Sequence, residues 1–112
     1  MNKTNIFVYI ELSKLIANLS CNEQLIQKAL KQQAAYFNLI GSEFFSDTLK
    51  PEWELIVSEM KQKGPAVNEA RQIQANAFSN TIDQMSAQDC LGLFFRLTYL
   101  FEKVKSELAF AD

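Results

Sequence analysis

The chain has 112 residues, 48% of them hydrophobic and 21% charged, and sets 11 basic side chains against 13 acidic ones for a net charge of −2. That length holds one core and leaves no room for a second, and the balance is that of a folding chain rather than a disordered one. Nine lysines accompany only two arginines, Arg71 and Arg96, so the basic stripe and bidentate groups that serve nucleic acid are missing and no nucleic-acid partner is expected.

Lys3 and the apolar run Ile6–Ile10 imitate the start of a signal peptide. Glu11 and Lys14 interrupt the run before a hydrophobic region of about 7 to 15 residues can form, and Asn18, Leu19 and Ser20 suit lipoprotein cleavage before Cys21 poorly. Leu91–Phe101 is likewise apolar, but it contains Arg96 and falls short of the roughly 20 residues that span a bilayer, so no membrane partner is expected. Cys21 and Cys90 lie far apart among apolar residues. Two free buried thiols in a reducing compartment are the favoured reading, and a single bridge the alternative. The expected location is cytoplasmic.

Val8, Leu12, Leu15, Ile16 and Leu19 form an apolar stripe that predicts a first helix from about Thr4 to Leu19. Its β-branched and aromatic opening, Ile6–Ile10, would also suit a strand, for which no pairing partner is evident. Ser20 and Glu23 are spaced as a capping box, predicting a second helix through Leu25, Ile26, Ala29, Leu30, Phe37 and Ile40 to a left-handed cap at Gly41. Pro51, with Glu52 and Glu54, marks the first turn of a third helix that Gly64-Pro65 ends. Val67, Ala70, Ile73, Ala77, Phe78, Ile82 and Met85 predict a fourth. Ser86 and Asp89 cap a fifth, whose apolar seam is Cys90, Phe94, Leu97, Phe101, Val104 and Leu108. Short connections between these segments predict an all-α, single-domain antiparallel bundle of about five helices covering residues 1–112.

Chemistry is sparse. With no histidine, the commonest general base and the His-dependent nucleophile pairs and metal sites are gone, and three glycines, Gly41, Gly64 and Gly92, build no phosphate loop. Glu52 and Glu54 lie about 200° apart around a helix and cannot form one site unaided. Cys90, near a helix N-terminus, invites a nucleophile reading that its place on the apolar seam opposes. No catalytic residue, metal or cofactor is therefore expected.

Two features remain. Ser42–Glu54, SEFFSDTLKPEWE, collects Glu43, Asp47, Glu52 and Glu54 against Lys50, a net −3, together with Phe44, Phe45 and Trp53. Acids around aromatic anchors suit docking on a basic partner, and the rival reading has the rings closing the end of the core. In the last helix, CLGLFFRLTYLF is apolar around most of its circumference, which makes Phe95, Arg96 and Tyr99 either central or part of an interface. Arg96 has no acid three or four residues away, so its partner is a carboxylate elsewhere in the bundle or on another molecule. The expectation is a small non-catalytic protein-binding module, inhibitor-, immunity- or antitoxin-like, that docks on a basic protein. Its alternatives are a homodimer or larger assembly built on the last helix, and a binder of a small apolar ligand lined by some of the nine phenylalanines.

Overall fold

The structure, a computed structural model, describes residues 4–110 and is all-α apart from one small hairpin. Helix α1 spans Thr4–Ala17, α2 Ile26–Gln32 and α3 Tyr36–Leu39; a 3-10 turn at Ser42–Phe44 leads to α4, Lys50–Met60. Strands β1, Ala66–Val67, and β2, Ile73–Ala75, form the hairpin before α5, Ala77–Asp83, and α6, Ala87–Ala109. Ion pairs Glu52–Lys103 and Glu59–Arg96 set α4 and α6 antiparallel, since their numbers run in opposite directions.

The longest helix is also the best punctuated. Ser86 Oγ accepts from the Asp89 amide at 3.0 Å while the Asp89 carboxylate accepts from the Ser86 amide at 3.2 Å, so two otherwise unpaired donors are satisfied reciprocally. Cys90, Leu93, Leu97, Leu100 and Val104 are the buried face of α6, with Phe94, Phe101 and Leu108 half-buried beside it. That face is turned by about one residue from the expected seam. Pro51 lies in the first turn of α4 as expected, one residue after its start.

Four assignments need correction. The second helix is broken at Gln33–Ala35, where the amides of Tyr36, Phe37 and Asn38 reach back three residues instead of four. The buried residues there, Ala34, Phe37 and Ile40, are themselves three apart, and a 3-10 repeat keeps such a set on one face where an α-helix would rotate it away. Ser20 does not cap a helix. Its hydroxyl accepts from the Asn22 amide and Asn22 in turn accepts from Gln24, so local turns compete with the capping box and α2 starts only at Ile26. Gly41 is extended, with φ −74°, and the left-handed glycine is Gly64, with φ 66°.

The fourth correction is the largest. Val67, Ala70 and Ile73, assigned to a helix, belong to the hairpin and its loop. Asn68 organises it: its side-chain oxygen accepts from the Gln72 amide at 2.9 Å, and its amide group donates to the Gln72 side chain at 2.9 Å. The loop Glu69–Arg71 closes with Arg71 left-handed at φ 63°, the geometry of a three-residue hairpin loop. Asn76 then caps α5 by accepting from Ser79 at 2.8 Å. Asn80 donates to the Gly64 carbonyl and buried Thr81 accepts from the Lys63 amide, tying the end of α4 to α5.

Trp53 stands at the centre of the core. It is 1% exposed, its indole N–H donates to the Ile40 carbonyl at 2.8 Å, and its ring stacks with Phe37 and Phe45 at centroid distances of 5.9 and 5.3 Å. Phe37 passes the stack on to Phe78 of α5 at 5.6 Å. Replacing Trp53 by Phe keeps much of the ring packing but strands a buried carbonyl, so Trp53→Phe is expected to lower stability by about 1–3 kcal/mol. Urea unfolding followed by far-UV circular dichroism measures this, and an unchanged midpoint would remove the hydrogen bond from the account.

Candidate functional site

Residues 42–54 wrap the end of the core that Trp53 fills. Of the aromatic residues proposed there as partner anchors, Phe45 and Trp53 are core residues, 4% and 1% exposed. Phe44 is half-buried with its ring 4.8 Å from Phe7. The surface reading is therefore corrected for Phe45 and Trp53, and only Phe44 keeps an edge toward solvent. The reason lies in the turn at Ser42–Phe44, which directs Phe45 inward to Trp53.

The acids divide as well. Glu52 is half-buried and pairs with Lys103 across the α4–α6 seam at 3.6 Å. Glu43, Asp47 and Glu54 are exposed, and none of them enters an ion pair among the described residues. Glu54 accepts from the Ser42 hydroxyl at 3.2 Å. The Glu43 carboxylate lies in the space that a side chain on residue 41 would occupy, so the glycine there lets it fold back over the chain. Gly41 and Glu54 both line an open groove of about 620 Å³ between α3 and α4. Phe37, Trp53 and Val57 contribute to its walls, as do Asn38 and, two turns along α4 from Glu54, Lys61. One carboxylate, that of Glu54, thus lines a groove that is part apolar and part polar, and that of Glu43 lies against Gly41 in its wall.

Across the molecule, Arg96 finds its carboxylate inside the chain, in Glu59 of α4. Both side chains are close to half exposed, and a pair in that setting contributes at most about 1 kcal/mol. The aromatic neighbours of Arg96 point outward: Phe95 and Tyr99 are 61% and 62% exposed, one turn apart. Lys103 lies over the Tyr99 ring at 4.4 Å, and Phe94 meets Phe95 edge-on at 5.7 Å. So α6 is an edge helix on that side.

Sequence reasoning missed two places. One is the exposed Val67–Ile73 pair of the hairpin, whose signal was Asn68 and Gln72 closing a short loop. The other is a crevice of about 370 Å³ between α4 and α6, lined by Met60, Met85, Gly92, Leu93, Glu59 and Arg96, which no local pattern announces because it joins separate segments. Among the described residues no group of Cys, Asp and Glu could hold a metal ion, and no helix is long and apolar enough to cross a membrane. Comparison with protein-family models, curated proteins and solved structures finds no match.

Both cysteines are free, and Cys21, expected to be buried, is exposed. Cys90 is buried against the core, and burial, followed by the charge of Asp89, raises its thiol pKa despite the nearby helix N-terminus. Its proton is thus held more tightly folded than unfolded. The stability it contributes is complete below the unfolded thiol value, about 8.5, and is lost as pH rises above that. A disulfide reagent at neutral pH is expected to titrate one thiol fast, Cys21, and to reach Cys90 only as the chain unfolds. Two fast thiols would show that Cys90 is accessible.

Proposed function

We propose that this chain is a small non-catalytic protein-binding module, acting in the manner of an inhibitor, immunity protein or antitoxin, that docks an acidic surface on a basic partner. The observation that carries this proposal is the state of Glu43, Asp47 and Glu54: exposed, outside any ion pair among the described residues, and attached to backbone held by the Phe37–Trp53–Phe45 stack. Carboxylates on a fixed frame lose little freedom when a cation meets them, and their summed field speeds encounter. The groove beside Glu54 offers a partner side chain somewhere to lie, and Phe44 offers an apolar edge. Buried contact comes from that groove, of which Trp53 is one wall, instead of from an exposed Phe45 or Trp53 ring.

The partner is found by tagging the chain in its host, crosslinking gently and identifying what is recovered in stoichiometric amount. Glu43→Lys combined with Asp47→Lys is expected to weaken that partner at least tenfold and to flatten the salt dependence of association. Because both side chains are exposed, the unfolding midpoint should hardly move. Unchanged affinity in the double variant would take this surface out of the interface.

A further inference from the structure

The groove between α3 and α4 carries opposite charges at its two ends, Glu54 and Lys61. Seven residues apart, they project from one face of α4, separated by about 10.5 Å along its axis and by only about 20° around it. At that separation they do not neutralise each other. Both are exposed, and neither enters an ion pair among the described residues. Glu54 accepts from the Ser42 hydroxyl and Lys61 lies over the Phe78 ring at 5.6 Å, contacts that supply no opposite charge. The Glu43 carboxylate against Gly41 adds to the negative end.

Between the charges the lining is half-buried Val57, with Phe37 and Trp53 beneath it at 2% and 1% exposure. Asn38, Ser58 and Gln62 also line the groove, with exposed side chains that make no hydrogen bond among the described residues. Such donors suit a guest that brings unpaired carbonyls of its own. A β-strand fits the charge spacing poorly, because its residues on one face are about 6.7 or 13.4 Å apart. A polyproline II segment returns every third residue to one side after about 9.3 Å, and its carbonyls make no internal hydrogen bonds. One turn of that helix therefore matches two turns of α4 to within about 1 Å. Its proline rings are the apolar groups that lie against walls such as Val57.

We propose, on the reading that this chain docks on a protein, that the groove holds a polyproline II segment of that partner in which a basic and an acidic residue stand three positions apart. The basic side chain meets Glu54 and the acidic one meets Lys61.

Trp53 is the one tryptophan of the chain and lines the groove, so its fluorescence reports what enters. The peptides Arg-Pro-Pro-Glu and Glu-Pro-Pro-Arg, blocked at both ends, are titrated into the full chain. At least one order is expected to shift the emission saturably, with a Kd of about 1 mM or below. Replacing the two prolines by glycines removes the preset backbone and is expected to weaken binding severalfold. Lys61→Glu, with an unchanged circular dichroism spectrum, is expected to bind the original peptide about fivefold more weakly and to prefer Arg-Pro-Pro-Arg. Flat emission up to about 10 mM with both orders, equal binding of the glycine peptide, or a Lys61→Glu variant that keeps the wild-type preference would each overturn the proposal. The combined Glu43→Lys and Asp47→Lys variant tests the docking surface separately. If it weakens the captured partner while the peptides leave Trp53 unmoved, the acidic surface stands and the groove segment falls.

Discussion

One hydrogen bond inside the core, from the Trp53 indole to the Ile40 carbonyl, fixes how the two halves of the chain meet. Ile40 ends the irregular helical path from Ile26, and Trp53 lies in the first turns of α4. Between them residues 41–52 must form a tight loop, because their ends are held by a directional contact in the dry interior where neither group has water as a substitute. The Phe45–Trp53–Phe37–Phe78 stack extends that constraint from the loop through α4 to α5. Consequently the chain's acidic segment, a 3-10 turn followed by the first turn of α4, is held at both ends as a rim of the core.

What was legible in the sequence follows the range of the interactions involved. Signals confined to four or five residues were readable and correct at Ser86–Asp89 and at Pro51, where the physics is a backbone donor meeting a side chain, or one that proline does not have. The stripe Val67–Met85 was misleading because a period of three or four also fits an apolar hairpin followed by a short helix. Asn68 decided the matter with hydrogen bonds to Gln72 that a helix would not have allowed. Trp53 illustrates the opposite limit. Its neighbours in sequence are Glu52 and Glu54, which suggested a surface anchor; its neighbours in space are Phe37 and Phe45, and that proximity depends on the whole loop. Arg96 was half legible, since the absence of a local acid correctly implied a distant one without indicating Glu59.

Charge placement separates the parts of the surface that hold the fold from those left over. Arg96–Glu59 and Lys103–Glu52 recur two turns apart along the α4–α6 seam, and Lys31–Asp83 joins α2 to α5. Each is a weak, solvent-screened contact. Their arrangement uses Arg96 and Lys103 on the side of α4 facing α6, while Glu43, Asp47 and Glu54 enter no ion pair among the described residues. Net charge of −2 conceals this, because it averages a balanced seam with an unbalanced rim.

Glu52 and Glu54 show why the rim and the outer face of α6 need not interfere. Two residues apart, they leave α4 about 160° apart by the shorter way round; Glu52 reaches Lys103 on α6, while Glu54 turns to Ser42 and the groove. α6, with the exposed Phe95 and Tyr99, therefore lies on the side of α4 away from the groove.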